Sequence, residues 1–165
     1  MKRLFSALFC LLLVVAAFAQ RPYTIIVDGE KTTFTAAELK RYVQKSMQER
    51  IKAINEQLPL NIDEITTLYS TLFIGNALYY NYRVDIDKID YTQEEINQII
   101  SGVKETNKEN IAFLYQSLAN KMPPKEWKRL FTELGFYYVY TYFDRNNKVF
   151  ARFTIYPRDV KLNTR

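Results

Sequence analysis

Apolar positions along the chain change period several times, and each change marks an element. Tyr23 to Val27 is a short β-branched run, Asp28-Gly29 is a two-residue hairpin turn, and Lys31 to Phe34 is the return strand. Thr35 followed by Glu38 forms a capping box. Leu39, Val43, Met47, Ile51, Ile54 and Leu58 then recur every three or four residues, which predicts one face of an amphipathic helix ended by Pro59. Ile65 to Phe73, a turn at Gly75-Asn76, and Ala77 to Val84 predict a second hairpin, with Tyr80, Tyr82 and Val84 on one side.

A second capping box, Thr92 with Glu95, opens a long helical stripe through Ile96, Ile99, Ile100, Val103, Ile111, Leu114 and Leu118. It runs to Pro123-Pro124, with Gly102 as a bend or a break. Pro124 suits the first turn of a short helix whose apolar face is Trp127, Leu130, Phe131 and Leu134, with Gly135 as its left-handed stop. Phe136 to Phe143, a turn at Asp144 to Asn147, and Lys148 to Tyr156 predict a third hairpin. The order is ββ-α-ββ-α-α-ββ, which predicts an α+β fold: an antiparallel sheet built from hairpins, with helices packed on one face. Tyr80-Asn81-Tyr82 follows Gly75 much as Tyr140-Thr141-Tyr142 follows Gly135, from a duplication or from the general likeness of Tyr-alternating strands.

The first stretch reads as an address. Lys2 and Arg3 precede an apolar run from Leu4 to Ala16, and Ala17-Phe18-Ala19 offers small residues for cleavage before Gln20. Residues 1–19 are expected to be a cleaved signal peptide, the alternative being an uncleaved anchor, for which the run is short of the ~20 residues a spanning helix needs. Phe9 stands before Cys10 where a lipoprotein signal carries a small residue. Residues 20–160 are expected to form a single domain and 161–165 a frayed tail.

Composition narrows the chemistry. The 165 residues contain 23 Lys plus Arg, 18 Asp plus Glu, no His and one Cys, a formal charge of +5. After removal of residues 1–19 no Cys remains and the charge falls to about +3, weak evidence for any partner. Ser-His-Asp triads, Cys-His dyads and thiol redox chemistry are excluded, and zinc and copper sites lack their usual ligands. No cofactor and no metal is expected. Asp85, Asp87 and Asp90 are the densest acidic cluster, but Ile89 and Ile96 stand where a calcium loop needs ligands. A carboxylate-dependent glycosidase is left as a minor alternative; it needs two acids facing across a cleft.

Nine aromatic residues between Phe136 and Tyr156 are the feature above background. With a regular turn at Asp144 to Asn147, Tyr137, Val139, Thr141 and Phe143 share a core face with Val149, Ala151, Phe153 and Ile155. Tyr138, Tyr140 and Tyr142 then lie opposite, beside Phe150, Arg152, Thr154 and Tyr156. Three readings stay open for those rings: cover by another element, a protein or peptide docking surface, or stacking on sugars. Nucleic-acid binding lacks the positive groove it needs.

The layout resembles the small periplasmic α/β pilotins of type II secretion systems. The matching elements are a helix ending in Leu58-Pro59-Leu60, a hairpin through Thr66 to Val84, a helix with Phe113 and Tyr115, and Gly135 opening an aromatic hairpin that turns at Asp144. The resemblance spans roughly Glu38 to Val160 and implies a fold in which sheet and helices grip a partner helix. That family is lipid-anchored and carries a cysteine pair, and the mature chain here has neither, so no residue role is carried over. The expectation is an exported, periplasmic or secreted, non-catalytic protein that docks another envelope or secreted protein through Tyr138, Tyr140, Tyr142, Arg152 and Tyr156. The alternative is a carbohydrate-binding module using the same tyrosines.

Overall fold

A computed structural model describes residues 22–162. The signal peptide, its cleavage point before Gln20 and the end of the tail lie outside the described residues. Contacts divide the chain into two compact units, with the boundary between Val43 and Gln44.

The first unit holds β1 (Tyr23–Val27) and β2 (Glu30–Phe34), paired antiparallel from Tyr23 with Phe34 to Val27 with Glu30. Asp28 and Gly29 both have positive φ, 50° and 87°, the geometry that twists a two-residue turn to match its strands. Helix α1 (Ala36–Asn55) begins in this unit. Thr35 N donates to Glu38 Oε2 at 2.9 Å, and Glu38 N donates back to Thr35 Oγ1 at 3.3 Å, closing the capping box. The α1 stripe of Leu39, Val43, Met47 and Ile51 is buried throughout.

The second unit contains the rest of α1 and a five-stranded sheet in the order β3-β4-β5-β6-β7, with β3 (Leu60–Asn61), β4 (Thr66–Ile74), β5 (Ala77–Val84), β6 (Tyr137–Phe143) and β7 (Val149–Ile155). Helices α2 (Gln93–Ser117) and α3 (Pro124–Glu133) connect β5 to β6. The fold class is α+β and the hairpins are antiparallel, but β5 and β6 run parallel. Their register sets Tyr80 beside Tyr140, Asn81 beside Thr141 and Tyr82 beside Tyr142. The two look-alike segments are thus in-register neighbours.

Two expected boundaries shift for local reasons. Helix α1 stops at Asn55 instead of Leu58, because the Asn55 carboxamide is taken by β4: its Nδ2 donates to Thr71 O at 2.9 Å and its Oδ1 accepts from Thr71 N at 3.1 Å. That pairing satisfies a backbone edge as a neighbouring strand would. Helix α2 passes Gly102 without a break, capped at its start by the Thr92 and Glu95 box.

The core lies between the sheet and the helices of this unit. Phe131 meets Tyr115 at 5.6 Å and Phe136 at 5.0 Å, and Phe136 stacks on Phe73 at 6.1 Å. Trp127 Nε1 donates to Leu118 O at 3.0 Å, so the one indole is buried with its polar group satisfied. Gly135, at φ 70°, ends the α3 segment, and Asn76 Nδ2 donates to Leu134 O at 3.1 Å while Asn76 O accepts from Tyr137 N. The turn of one hairpin thereby fixes where the next strand begins.

Candidate binding surface

The β6–β7 hairpin was expected to hold Tyr138, Tyr140 and Tyr142 outward, and the structure turns them inward. The turn itself is as expected, with Asn147 at φ 60° and Phe143 opposite Val149. One residue later the register slips: Tyr142 pairs with Ala151, leaving Phe150 as the extra residue of a bulge. Because side chains alternate, that single insertion exchanges the two faces for the rest of the hairpin. Tyr138, Tyr140 and Tyr142 share their side with Ile155, Phe153 and Ala151.

Tyr140 and Tyr142 belong to an ordered stack of rings under the helices. Tyr80 lies on Tyr140 at 5.3 Å, Tyr82 on Tyr142 at 4.8 Å, and Phe153 stacks on Tyr140 at 5.6 Å and on Tyr142 at 6.0 Å. Tyr138, Tyr140 and Tyr142 retain only 2%, 5% and 8% exposure. Asn107 Nδ2 donates to the Tyr142 hydroxyl at 2.9 Å, and the Tyr115 and Tyr138 hydroxyls meet at 3.4 Å. Loss of water pushes the Tyr138, Tyr140, Tyr115 and Tyr82 phenols above their ordinary range, which keeps them neutral. The three β6 tyrosines are packing residues, and sugar stacking on Tyr138 loses its geometric basis.

Arg152 and Tyr156 are exposed, on a different surface. Successive rows cross the face of the sheet away from the helices: Leu72, Tyr79, Val139 and Thr154, then Ser70, Asn81, Thr141 and Arg152, with Val139 and Thr141 buried among their neighbours and Leu72 and Arg152 exposed at the ends. Ile74, Ala77 and Tyr137 form a third row, and Tyr137 reaches Tyr156 at 5.9 Å. Ile74 is 62% exposed, Leu72 47% and Tyr156 41%. Tyr69, also exposed, meets Phe143 edge-on at 5.9 Å. Arg158 stands 4.7 Å over the Tyr156 ring, a cation–π contact at the rim. Clustered apolar and aromatic side chains edged by arginines are the composition of interaction sites.

Sequence reasoning missed Tyr69, Leu72 and Ile74 as exposed residues. Their signal was the alternation within β4 itself, where Thr71 is buried between exposed Leu72 and half-buried Ser70.

The acidic cluster is structural. Asp87 Oδ1 accepts from Ile89 N at 3.2 Å and caps the short turn Lys88–Asp90, and its Oδ2 accepts from Asn146 Nδ2 at 2.7 Å. Those hydrogen bonds, first to the Ile89 amide, hold its carboxyl below the usual range. Asp85 pairs with Arg145 at 3.6 Å. Among the described residues no three His, Cys, Asp or Glu converge on a metal position, and no described helix is long and apolar enough to cross a membrane.

No protein-family model and no curated protein sequence matches the chain. Solved structures do. A type II secretion pilotin, AspS of Vibrio cholerae, aligns at a TM-score of 0.48 with 11% identity, covering 74% of this chain and 96% of that one. The pilotin EpsS from the type 2 secretion system of Vibrio vulnificus aligns at a TM-score of 0.50 with 9% identity, covering 76% of this chain and 97% of its own length, so the chain is similar to that pilotin in fold.

Proposed function

We propose that this protein is an exported, non-catalytic accessory protein of the cell envelope that docks a protein partner on the open face of its sheet, with Arg152 and Tyr156 at the contact. The observation that carries the reading is that face: Leu72, Ile74 and Tyr156 are exposed with half-buried Tyr137 against Tyr156, and Arg152 is exposed on the same face with no ion pair among the described residues. Tyr and Arg concentrate at binding hot spots because each brings a large contact area with few torsions to immobilise. The fold similarity to a pilotin supports an accessory role in the envelope, and the expected signal peptide supports export. The reading keeps residues 20–160 as one exported domain.

Photo-crosslinking groups placed at Leu72, Arg152 and Tyr156 should trap one discrete partner in intact cells, and the same group at Asn97, exposed on α2, should not. Crosslinks confined to Asn97 would overturn the docking face. Mature protein whose first residue is not Gln20 would overturn the export reading as stated.

A further inference from the structure

We propose that the slot between the first half of α2 and the sheet binds a compact, uncharged molecule of one or two rings that offers a hydrogen-bond acceptor to Tyr142. Helix α2 keeps one apolar stripe, yet its two halves pack differently. Ile96 at the start and Asn107, Ile111, Ala112 and Tyr115 in the later half are buried, whereas Ile99, Ile100 and Val103 between them stay half-exposed. They line a cavity of about 250 Å³ whose opposite wall is Val84, Phe150 and Ala151. A smaller apolar cavity, ~150 Å³, stays dry and takes up benzene, so this volume suits one or two rings.

The lining selects the chemistry. It includes no Lys, Arg, Asp or Glu, and burying an unpaired charge there would be costly. Tyr91 stands edge-on to Phe150 at 6.3 Å, and with Tyr142 these rings give flat walls that favour a planar guest. Tyr142 is part of the lining, and its hydroxyl meets Asn107, one helical turn beyond Val103. Its oxygen accepts from Asn107, and its proton has no acceptor among the described residues. The hydroxyl is kept neutral by burial and is therefore a donor awaiting a partner.

The mouth is preset. Ile86 and Tyr91 border the cavity from the segment between β5 and α2, which is tied to the β6–β7 turn. Arg145 N donates to Ile86 O at 2.9 Å, Asn146 to Asp87 at 2.7 Å, and Lys88 Nζ to Val149 O at 3.2 Å. A site held open in advance loses little ordering entropy on binding.

The test is an NMR titration of the purified protein with 2-acetylnaphthalene and, separately, naphthalene. Saturable shifts at the methyl groups of Val84, Ile99, Val103 and Ala151 are expected, with at least a tenfold loss of affinity in Val103→Trp. Tyr142→Phe should weaken 2-acetylnaphthalene at least threefold and leave naphthalene unchanged; equal effects on both probes would overturn the hydrogen bond. Shifts mapping to other residues, no saturation, or unchanged affinity in folded Val103→Trp would overturn the site. If Val103→Trp does not fold, Ala151→Leu fills the same slot from the sheet side and is read by the same criteria.

Discussion

The two faces of the β6–β7 hairpin are both rich in aromatic residues, and they use them in opposite ways. Under the helices, Tyr140 and Tyr142 stack with Tyr80, Tyr82 and Phe153, while Asn107 meets the Tyr142 hydroxyl and Tyr115 meets that of Tyr138. On the open face, Tyr137 and Tyr156 meet only at a tilt, and Tyr156 carries an arginine over its ring. Aromatic content alone does not distinguish a core from a contact surface; the fate of each hydroxyl and the cover over each ring do.

Alkali should break this contrast most severely. A phenol whose folded pKa is raised above the ordinary value of about 10 supports the fold fully below that pH. Its contribution is lost as pH climbs toward the folded value, because only the unfolded chain can ionise it. Tyr138 and Tyr140 are raised in this sense. The share of the tyrosinate absorbance that belongs to the inner rings should therefore rise above pH 10 in one step together with loss of far-ultraviolet ellipticity. Independent titration of all tyrosines in a folded chain would show that the inner rings are accessible.

Next in size is Tyr138→Ala, expected to cost about 3–5 kcal/mol in urea unfolding because it leaves a ring-sized cavity against Tyr115. Asn55→Ala should cost about 1–3 kcal/mol, since the Thr71 amide and carbonyl lose their partner at a buried edge. Faster exchange of the Thr71 amide proton is its specific signature. Smallest is Arg152→Ala, expected within about 0.5 kcal/mol of the parent in stability, while costing about 1–3 kcal/mol in partner binding. A stability loss as large as that of Tyr138→Ala would mean that the open face is packed and not displayed.

Local chemistry made much of this fold legible. Asp28-Gly29, both Thr and Glu capping boxes, Pro124 and Gly135 each act within a few residues, and each stands where its chemistry puts it. The faces of the last hairpin were not legible, because Val149-Phe150-Ala151 is apolar at every position and gives no alternation to betray an inserted residue. Arg152 and Tyr156 were read as exposed, whereas the three inner tyrosines were misplaced by that one slip. Nor does any local pattern announce that β5 and β6 are parallel. Only the likeness of Tyr80-Asn81-Tyr82 to Tyr140-Thr141-Tyr142 hinted at a relation, and it is the relation of adjacent strands.

That parallel pair also sets the longest loop the chain has to close within its sheet. Strands β4 and β5 meet through their own short turn, whereas β5 and β6 are joined only across the whole stretch from Asp85 to Phe136, which carries two helices. Contacts this distant along the chain are slow to find, because the intervening segment must be ordered before the pairing offsets its lost freedom. Asn76, which holds Leu134 through its side chain and Tyr137 through its carbonyl, sits where β6 begins. Like the end stop of a zip, it fixes the register in which the paired tyrosines lie.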